Sequence, residues 1–390
     1  MTLEGELSDV GRSILATAAS IGRDVAAPAA GSVDAEARFP HEAVDALREA
    51  GLLGALVPSR LGGMGCTYTD LSVACTELGK HCSSTAMVFA MHQIEVACFV
   101  EHCVGLPYFD ELLTEIARAG RLVASATTEA GVGGDVRSSL CAIVYDGEKI
   151  SLTKNASVIS YGSHVDDVLV TARVSATAAA SDQVIVHVCR PNLTLEPNGV
   201  WDTVGMRGTS SIGFMLEATG SIDQIVPTPY AEVSARTMLP VSHITWASLW
   251  LGIAENAMEK ARTCVRAAAR KTPGNLPPSA RHLAEAYGVI QQMRALIEQA
   301  VHEFERVRTD PDAGSSMGFA IRMNGLKLSV SHDVLAVVQK CLFVCGIAGF
   351  RNDGPYSLGR QLRDATSAQL MVHNDRILEH NASLLCVMKD

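Results

Sequence analysis

The chain of 390 residues has few charged side chains, and no block of lysine or arginine stands out in it. Charged residues make up 19% of the sequence, and the formal net charge is −10. Nucleic-acid binding needs clustered positive charge, so we expect no nucleic-acid partner. Because 48% of the residues are hydrophobic, we expect a sizeable core rather than general disorder.

Long apolar runs and paired cysteines are also missing. No run of about eighteen uninterrupted apolar residues occurs, so we expect no membrane span, and the polar N-terminus MTLEGELSDVGR lacks the pattern of a signal peptide. The eleven cysteines include no CxxC pair. Cys341 and Cys345 lie one helical turn apart but have no histidine at ligand spacing. We therefore expect reduced, buried cysteines, no metal site and a cytoplasmic protein.

Three compositional zones predict the architecture. In residues 1–120, apolar positions recur three and four residues apart, which is typical of helices, with one helical run from about Thr69 to Val100. Residues 121–230 hold short runs rich in Val, Ile, Thr and Ser, which predict a small antiparallel sandwich or barrel. The helical period returns over residues 231–390 in several long amphipathic stretches, whose natural packing is a bundle.

The segment Thr127–Val136, with the sequence TTEAGVGGDV, is the most informative for chemistry. It follows a predicted strand and supplies two hydroxyl groups and three glycines. Glycines let backbone N–H groups approach a ligand closely, and hydroxyl groups can hydrogen-bond a heteroaromatic edge. A glycine-rich turn between two strands has the same composition, so these residues alone leave a purely structural role open.

Five segments, taken in order, resemble the acyl-CoA dehydrogenase family. TTEAGVGGD is similar to the family pattern T-E-P-x-A-G-S-D, and the other four are FPHEAVDALREAGLLGALVPSRLGGMG, GSHVDDVLVTAR, VGMRGTSS and YSLGRQLRDA. The resemblance covers nearly the whole chain. It implies an α+β fold with an N-terminal helical domain, a middle β domain and a C-terminal four-helix bundle. It also implies FAD at the junction of these domains and a homodimer or homotetramer.

The resemblance assigns flavin contacts position by position. Thr127 and Thr128 match the residues that bond the flavin ring, and Gly134 stands where the family often has a flavin-contacting serine. Val158 replaces the family's tryptophan, which removes an aromatic wall. Ser160 stands at a flavin-contacting threonine.

Three further positions are implied on the C-terminal side. Arg270 falls near the arginine of the family's R-x-F-G motif, which reaches the FAD pyrophosphate of a neighbouring subunit. The aromatic residue of that motif is absent here, and a solvated basic helix end explains Arg270 equally well. Gly346 opens the segment GIAGF, which is similar to the family's G-G-x-G-F/Y near the adenosine end of FAD. Asn374 stands at a threonine that reaches the flavin.

The family's catalytic base is missing from the sequence. Dehydrogenation of an acyl thioester needs a carboxylate that removes the α-proton. Counting from Arg363, Val372 stands at the position of the catalytic glutamate in the family's I-Y-E-G-T motif. Some relatives place the base on an earlier helix, and that position matches Ser242 and His243 here. His373 and His243 are the candidate substitutes, because a histidine can exchange a proton near neutral pH. A lone histidine in such a position is more often a structural hydrogen-bonding residue, and this holds for both.

Three functions remain open at this point. The leading one is an FAD-dependent oxidoreductase of the acyl-CoA dehydrogenase type. Its acyl thioester would be carried by CoA or by a carrier protein, and the altered base suggests specialised biosynthesis. The first alternative is a flavin monooxygenase on the same fold, which needs no α-proton base. The second is a non-catalytic homologue that binds an acyl group or a carrier protein. The sequence identifies neither an electron acceptor nor a flavin reductase.

Overall fold

The computed structural model describes residues 3–133, 135–271 and 277–388. A helical N-terminal region, a β region and a second helical region follow one another, which confirms the predicted order. The helices of eight or more residues are α1 (Asp9–Ile21), α2 (Ala27–Ala35), α3 (His41–Glu49), α4 (Tyr68–His81), α5 (Ser83–Cys103), α6 (Pro107–Ala119), α7 (Leu239–Lys271), α8 (Arg281–Val307), α9 (Met317–Cys345), α10 (Gly359–Thr366) and α11 (Asn374–Val387). The strands are β1 (Val123–Ala126), β2 (Val144–Asp146), β3 (Lys149–Ile159), β4 (Asp167–Arg173), β5 (Gln183–Cys189), β6 (Leu193–Asn198) and β7 (Ile212–Ser221).

The N-terminal helices are fixed by side-chain caps. Thr67 and Asp70 form a capping box at the start of α4, in which each side chain hydrogen-bonds the other residue's backbone N–H. The Ser8 hydroxyl, which caps α1, also donates to the Asp70 carboxylate at 2.7 Å. One carboxylate therefore joins the first turns of α1 and α4.

The predicted single helical run from Thr69 to Val100 is wrong at one point. The backbone is extended at Cys82 (φ −145°, ψ 108°), which separates α4 from α5. The hydroxyl of Ser83, at the start of α5, donates a hydrogen bond to the buried carboxylate of Asp364. Because this contact is far away in sequence, the apolar period could not reveal the break.

Two sheets form the β region. One has the strand order β1-β4-β5 and the other has the order β2-β3-β7-β6. The prediction of a purely antiparallel arrangement needs a correction, because β1 pairs with β4 in parallel, with Val123 opposite Asp167. Alternation along β3 places Ile150, Leu152, Lys154 and Ala156 on the buried face. A lysine therefore lies inside the β region.

The C-terminal region is a bundle built from α7, α8, α9 and α11. Helix α7 lies at its centre and packs against α4, α5, α8 and α9, with the Trp250 side chain fully buried. A Cβ atom at Gly252 would collide with the backbone oxygen of Thr76, so glycine permits the close crossing of α4 and α7. The bundle and the N-terminal helices thus share one core.

Two helices, α5 and α9, are long and apolar enough to cross a membrane by length and composition alone. For α5, 89% of the apolar window is buried inside the protein, as expected for the core helix of a globular fold. For α9 the buried share is 44%. Part of the α9 surface therefore remains uncovered within one chain.

Candidate functional site

Thr127 and Thr128 follow β1 directly, and both side chains are half-buried. The Thr128 hydroxyl accepts a hydrogen bond from the Val158 N–H and faces the Val158 carbonyl oxygen, both at 3.2 Å. The Thr127 hydroxyl has no hydrogen-bond partner within the described part of the chain. The end of β1 is thus fastened to β3, and one hydroxyl is left available.

An irregularity in β3 opens the other side of this site. The register against β7 shifts between Ala156 and Ile159, so the intervening backbone leaves the ladder. Val158, within this bulge, is 38% exposed. The buried Ser160 hydroxyl accepts a hydrogen bond from Ser211 at 2.9 Å. Its own proton is therefore free to be donated to a ligand.

The glycine-rich turn lies against the start of α11. Gly131 and Gly133 adopt positive φ angles of 96° and 62°, which a side chain would disfavour. The Arg376 guanidinium, in the first turn of α11, donates a hydrogen bond to the Gly133 carbonyl oxygen. Gly134 lies outside the described residues. The turn after β1 and the segment before α11 therefore meet, although more than 200 residues separate them in sequence.

These groups match the needs of a flavin ring. The polar edge of an isoalloxazine carries both donors and acceptors, and the site offers the Thr127 hydroxyl, the Ser160 hydroxyl and the backbone released by the β3 bulge. Val158 gives one wall of the site an aliphatic side chain in place of an aromatic ring. The donor set present in the structure therefore fits the cofactor.

Sequence reasoning missed a buried ion pair that supports the turn. Glu129 is 6% exposed and accepts hydrogen bonds from the Ser139 hydroxyl at 2.8 Å and from the N–H groups of Leu140 and Cys141, each at 2.9 Å. The ammonium group of Lys154 lies 3.8 Å from the Glu129 carboxylate. Burial lowers the pKa of Lys154. Lysine at an inner position of β3 was the signal that could have revealed this pair.

The Arg-Asp-Ala motif fastens three regions together. Asp364 accepts hydrogen bonds from the Met206 N–H at 2.7 Å and from Ser83 in α5. The guanidinium group of the neighbouring Arg363 donates hydrogen bonds both to the Asp34 carboxylate and to the Val204 carbonyl oxygen. These contacts join the N-terminal helices, the loop before β7 and α10. The motif has a structural role on the geometry described.

Val372 and His373 lie on the surface beside this junction. Val372 is 44% exposed and has a φ of 47°, an unusual conformation for a β-branched residue. The His373 side chain is 52% exposed, and its Nδ1 atom lies 3.7 Å from the Asp375 carboxylate. The imidazole of His373 is therefore accessible to water.

His243 has the opposite environment. It is 1% exposed, its Nδ1 atom is 3.1 Å from the Met323 carbonyl oxygen, and its Nε2 atom has no partner among the described residues. Burial, together with the nearby charge of Lys327, lowers the pKa of His243 to about 3. A histidine held neutral in this way is a poor base at neutral pH.

Asn374 is turned into the bundle. Its Oδ1 atom accepts a hydrogen bond from the Lys327 ammonium group at 2.5 Å, and its Nδ2 atom donates to the Ser331 hydroxyl at 3.1 Å. Lys327 is fully buried, and burial lowers its pKa to about 8. The Asn374 amide is thus engaged by α9. Lys327, which stands between two leucines of α9, was the sequence signal for this polar cluster.

Arg270 and Gly346 lie at exposed helix ends, away from the contacts just described. Arg270 is the penultimate residue of α7, and Gly346, with a φ of 57°, follows α9. The structure does not bring either residue to the threonine pair of the same chain. Their contacts with FAD remain predictions.

One group of residues has the composition of a metal site. Asp167, His187 and Cys189 each place a ligand atom within 4.8 Å of the others. However, Arg121 already binds Asp167 through hydrogen bonds of 2.8 and 2.7 Å, and the Tyr108 hydroxyl lies 2.7 Å from His187 Nδ1. The group is therefore a hydrogen-bonded link between α6, β4 and β5.

Comparison with known families decides the classification. The model of the acyl-CoA dehydrogenase N-terminal domain matches residues 8–103, and that of the acyl-CoA dehydrogenase C-terminal domain matches residues 233–372. The chain belongs to the acyl-CoA dehydrogenase family. As a member of this family it is a flavin-dependent oxidoreductase, in agreement with the fit of the site.

Its relatives within the acyl-CoA dehydrogenase family have more than one activity. The chain is 26% identical over 364 residues to a cyclohex-1-ene-1-carbonyl-CoA dehydrogenase of Syntrophus aciditrophicus (strain SB), covering 90% of this chain and 83% of the relative. It is 25% identical over 350 residues to the amino sugar nitrososynthase DnmZ of Streptomyces peucetius, covering 87% and 84%. The solved structure of FMN-bound TdsC from Paenibacillus sp. A11-2 has the same fold, with a TM-score of 0.81, 19% identity, and 96% and 97% of the two chains covered.

The buried, neutral state of His243 predicts a pH dependence of stability. The unfolded histidine has an ordinary pKa of 6.5, whereas its pKa in the folded protein is about 3. As the pH falls below 6.5, the unfolded chain binds a proton that the folded chain does not, so stability is lost. Between pH 6.5 and 5 we expect His243 to account for a loss of about 1.6 kcal/mol in the free energy of unfolding.

Urea denaturation of His243→Asn and wild type at these two pH values measures this loss. Asparagine can keep the hydrogen bond to Met323 but does not titrate in this range. The matched control is His380→Asn, which changes an exposed histidine of α11. Equal pH slopes for wild type and His243→Asn would contradict the prediction.

Proposed function

We propose that this acyl-CoA dehydrogenase family member is a flavin-dependent monooxygenase. The main support for this proposal is that neither of the two positions where relatives place the α-proton base holds a carboxylate. Val372 stands at one position, and Ser242 with the buried His243 stands at the other. Oxygen transfer from a reduced flavin requires no such base, whereas dehydrogenation of an acyl thioester does.

The residues of the site have separable tasks in this reaction. Thr127 and Ser160 would hold the flavin edge, while Thr128 fastens β1 to β3 beside them. The closely packed bundle around Lys327 would keep water away from the flavin. When bound in its reduced form, flavin supplies the two electrons that activate oxygen. His373, at the exposed side of the junction, would move the proton that accompanies oxygen transfer.

Acyl thioester oxidation is the second candidate. It is favoured by the similarity over most of the chain to an enzyme named for a CoA thioester substrate. On this alternative, the acyl group would be carried by CoA or by a carrier protein in specialised biosynthesis, and His373 would have to act as the base. An exposed imidazole is a weaker choice for this task than the buried carboxylate the family uses.

We assign FAD as the flavin and a homodimer or homotetramer as the working assembly. Arg270 and Gly346 are exposed at helix ends, where a neighbouring copy could use them to hold the distal part of FAD. Phe343, Ile347 and Phe350 form an apolar surface in the same segment and are 71%, 73% and 71% exposed. Such a patch favours contact with another copy. Reconstitution with FAD or FMN, followed by measurement of each affinity, tests the choice of flavin.

An anaerobic reaction separates the two candidate functions. We expect butyryl-CoA, octanoyl-CoA and cyclohexene-carbonyl-CoA to leave the colour of the flavin-loaded protein unchanged, because no base removes the α-proton. With NADH, a flavin reductase and oxygen, we expect hydrogen peroxide release at least about tenfold slower than from free reduced flavin, because the site excludes water.

The variant Val372→Glu provides the matched control. It restores a carboxylate at the family's base position, so acquired bleaching by an acyl-CoA would show that thioesters enter the site and that the base was the missing part. Bleaching of the wild-type protein by any of the three thioesters would overturn the monooxygenase proposal in favour of dehydrogenation.

A further inference from the structure

A buried carboxyl group lies behind the threonine pair. Glu95, on α5, is 3% exposed, and its Oε2 atom has no hydrogen-bond partner among the described residues. The Ser125 hydroxyl lies within hydrogen-bonding reach of this carboxyl group. An isolated acid in the middle of an apolar helix is costly to bury without a partner. Its presence therefore calls for a partner that binds from outside the chain.

The position of Ser125 connects Glu95 to the candidate flavin site. Side chains alternate along an extended chain, so Ser125 and Thr127 lie on the same side of β1. Both are partly exposed, whereas Ala124 and Ala126 between and beside them are buried. One side of β1 therefore carries both the Thr127 hydroxyl and the Ser125 hydroxyl that reaches the Glu95 carboxyl group.

No cation neutralises Glu95 within the described chain. The groups that face it are Cys98 on its own helix, Ser125 on β1, and the tyrosines Tyr161 and Tyr230. Both tyrosine hydroxyls are already engaged, since Tyr161 donates to the Val123 carbonyl oxygen and Tyr230 to the Met238 sulfur. Burial raises the pKa of Glu95 to about 8, and the Ser125 hydrogen bond opposes this only in part.

We propose that Glu95 recognises a substrate with a basic nitrogen by pairing with its ammonium group. This deepens the proposed monooxygenase function, on which it rests, by naming a substrate class. An alkylammonium group supplies the positive charge and the N–H donors that the Oε2 atom lacks. On binding, the O–H bond of the protonated Glu95 carboxyl group breaks and its proton passes to solvent, while the ammonium group keeps its protons and pairs with the carboxylate. No electrons are transferred in this step.

This pairing has a measurable proton balance. Below pH 8 the free protein carries a proton on Glu95, while a simple alkylamine, whose pKa is about 10, carries one on nitrogen. Formation of the pair therefore releases one proton to solvent. Linkage then requires the affinity for the amine to rise about tenfold per pH unit from pH 6 to 8 and to level off above pH 8.

The test uses oxidised, flavin-loaded protein and n-hexylamine as the probe, with 1-hexanol as a neutral control. Binding is followed by the change in flavin absorbance. At pH 8 we expect Glu95→Gln to weaken n-hexylamine binding at least tenfold and to abolish the pH slope, while binding of 1-hexanol stays within twofold. Glu111→Gln, on the exposed face of α6, is the matched control and should bind as wild type does.

A second measurement keeps the inference independent of the variant's folding. Calorimetry of the wild-type protein in buffers of different ionisation enthalpy should detect release of one proton when n-hexylamine binds at pH 7. Failure of the amine to bind, binding without proton release, or an unchanged Glu95→Gln variant would each overturn the inference. The oxygenation test is separate, because amine binding to the oxidised protein does not depend on whether the reduced protein transfers oxygen.

Discussion

Replacement of His373 by alanine is expected to lower the formation of oxygenated product about 100-fold, with flavin content unchanged. The imidazole lies at the exposed side of the junction, beside Val372, where a group can exchange protons with solvent during turnover. Its loss removes the proton transfer and leaves the hydroxyls of Thr127, Thr128 and Ser160 in place. Electrons from reduced flavin should then be diverted to hydrogen peroxide.

The ratio of oxygenated product to hydrogen peroxide is the deciding measurement, with n-hexylamine as the substrate tested and a flavin reductase as the electron source. His380→Ala changes another exposed histidine of α11 and should leave the ratio as in wild type. A wild-type ratio in His373→Ala would remove His373 from the reaction. A flavin-free variant would instead indicate that the residue serves cofactor binding.

Removal of Glu129 is expected to lower the free energy of unfolding by about 3–5 kcal/mol, because it leaves a buried charge without its counterion. Glu129→Ala also breaks three hydrogen bonds that hold residues 139–141 against the turn. The ammonium group of Lys154 would then keep only the Thr171 carbonyl oxygen and hydroxyl, at 2.7 and 2.9 Å. Urea denaturation, followed by far-ultraviolet circular dichroism, measures the change.

A double variant identifies the cause of this loss. If the unpaired ammonium group is responsible, Glu129→Ala combined with Lys154→Met should recover much of the stability, since the buried charge is gone. Asp135→Asn, in the same turn but with a side chain that is 44% exposed, should change stability by less than about 0.5 kcal/mol. A double variant as unstable as Glu129→Ala would place the loss in the broken hydrogen bonds alone.

The sequence predicted the architecture because the order of apolar periods and the five motifs are local properties. The change from helical to β-rich composition near residue 121 lies next to the start of β1 at Val123. The parallel pairing of β1 with β4 was missed, since strand partners are chosen by contacts distant in sequence. The break at Cys82 was missed for the same reason.

The site itself was only partly predictable. Motifs located the threonine pair and the missing carboxylate at Val372, since both depend on residue identity at a counted position. Periodicity marks Glu95 and Lys327 as residues of apolar helices, but it does not reveal which groups face them. His243 was expected as a possible base, and its burial, together with the charge of Lys327, makes that role unfavourable at neutral pH.

The contacts of Asp364 restrict how a ligand can reach the candidate flavin site. A hinge motion that separated the β region from either helical region would break its buried hydrogen bonds to Met206 and Ser83 at once. We therefore expect a ligand to enter through a small opening between short segments, without a movement of whole domains. We expect the exposed segment around Val372, which has a left-handed backbone at that residue, to border this opening. Its side chains would then limit the size of the ligand that can enter.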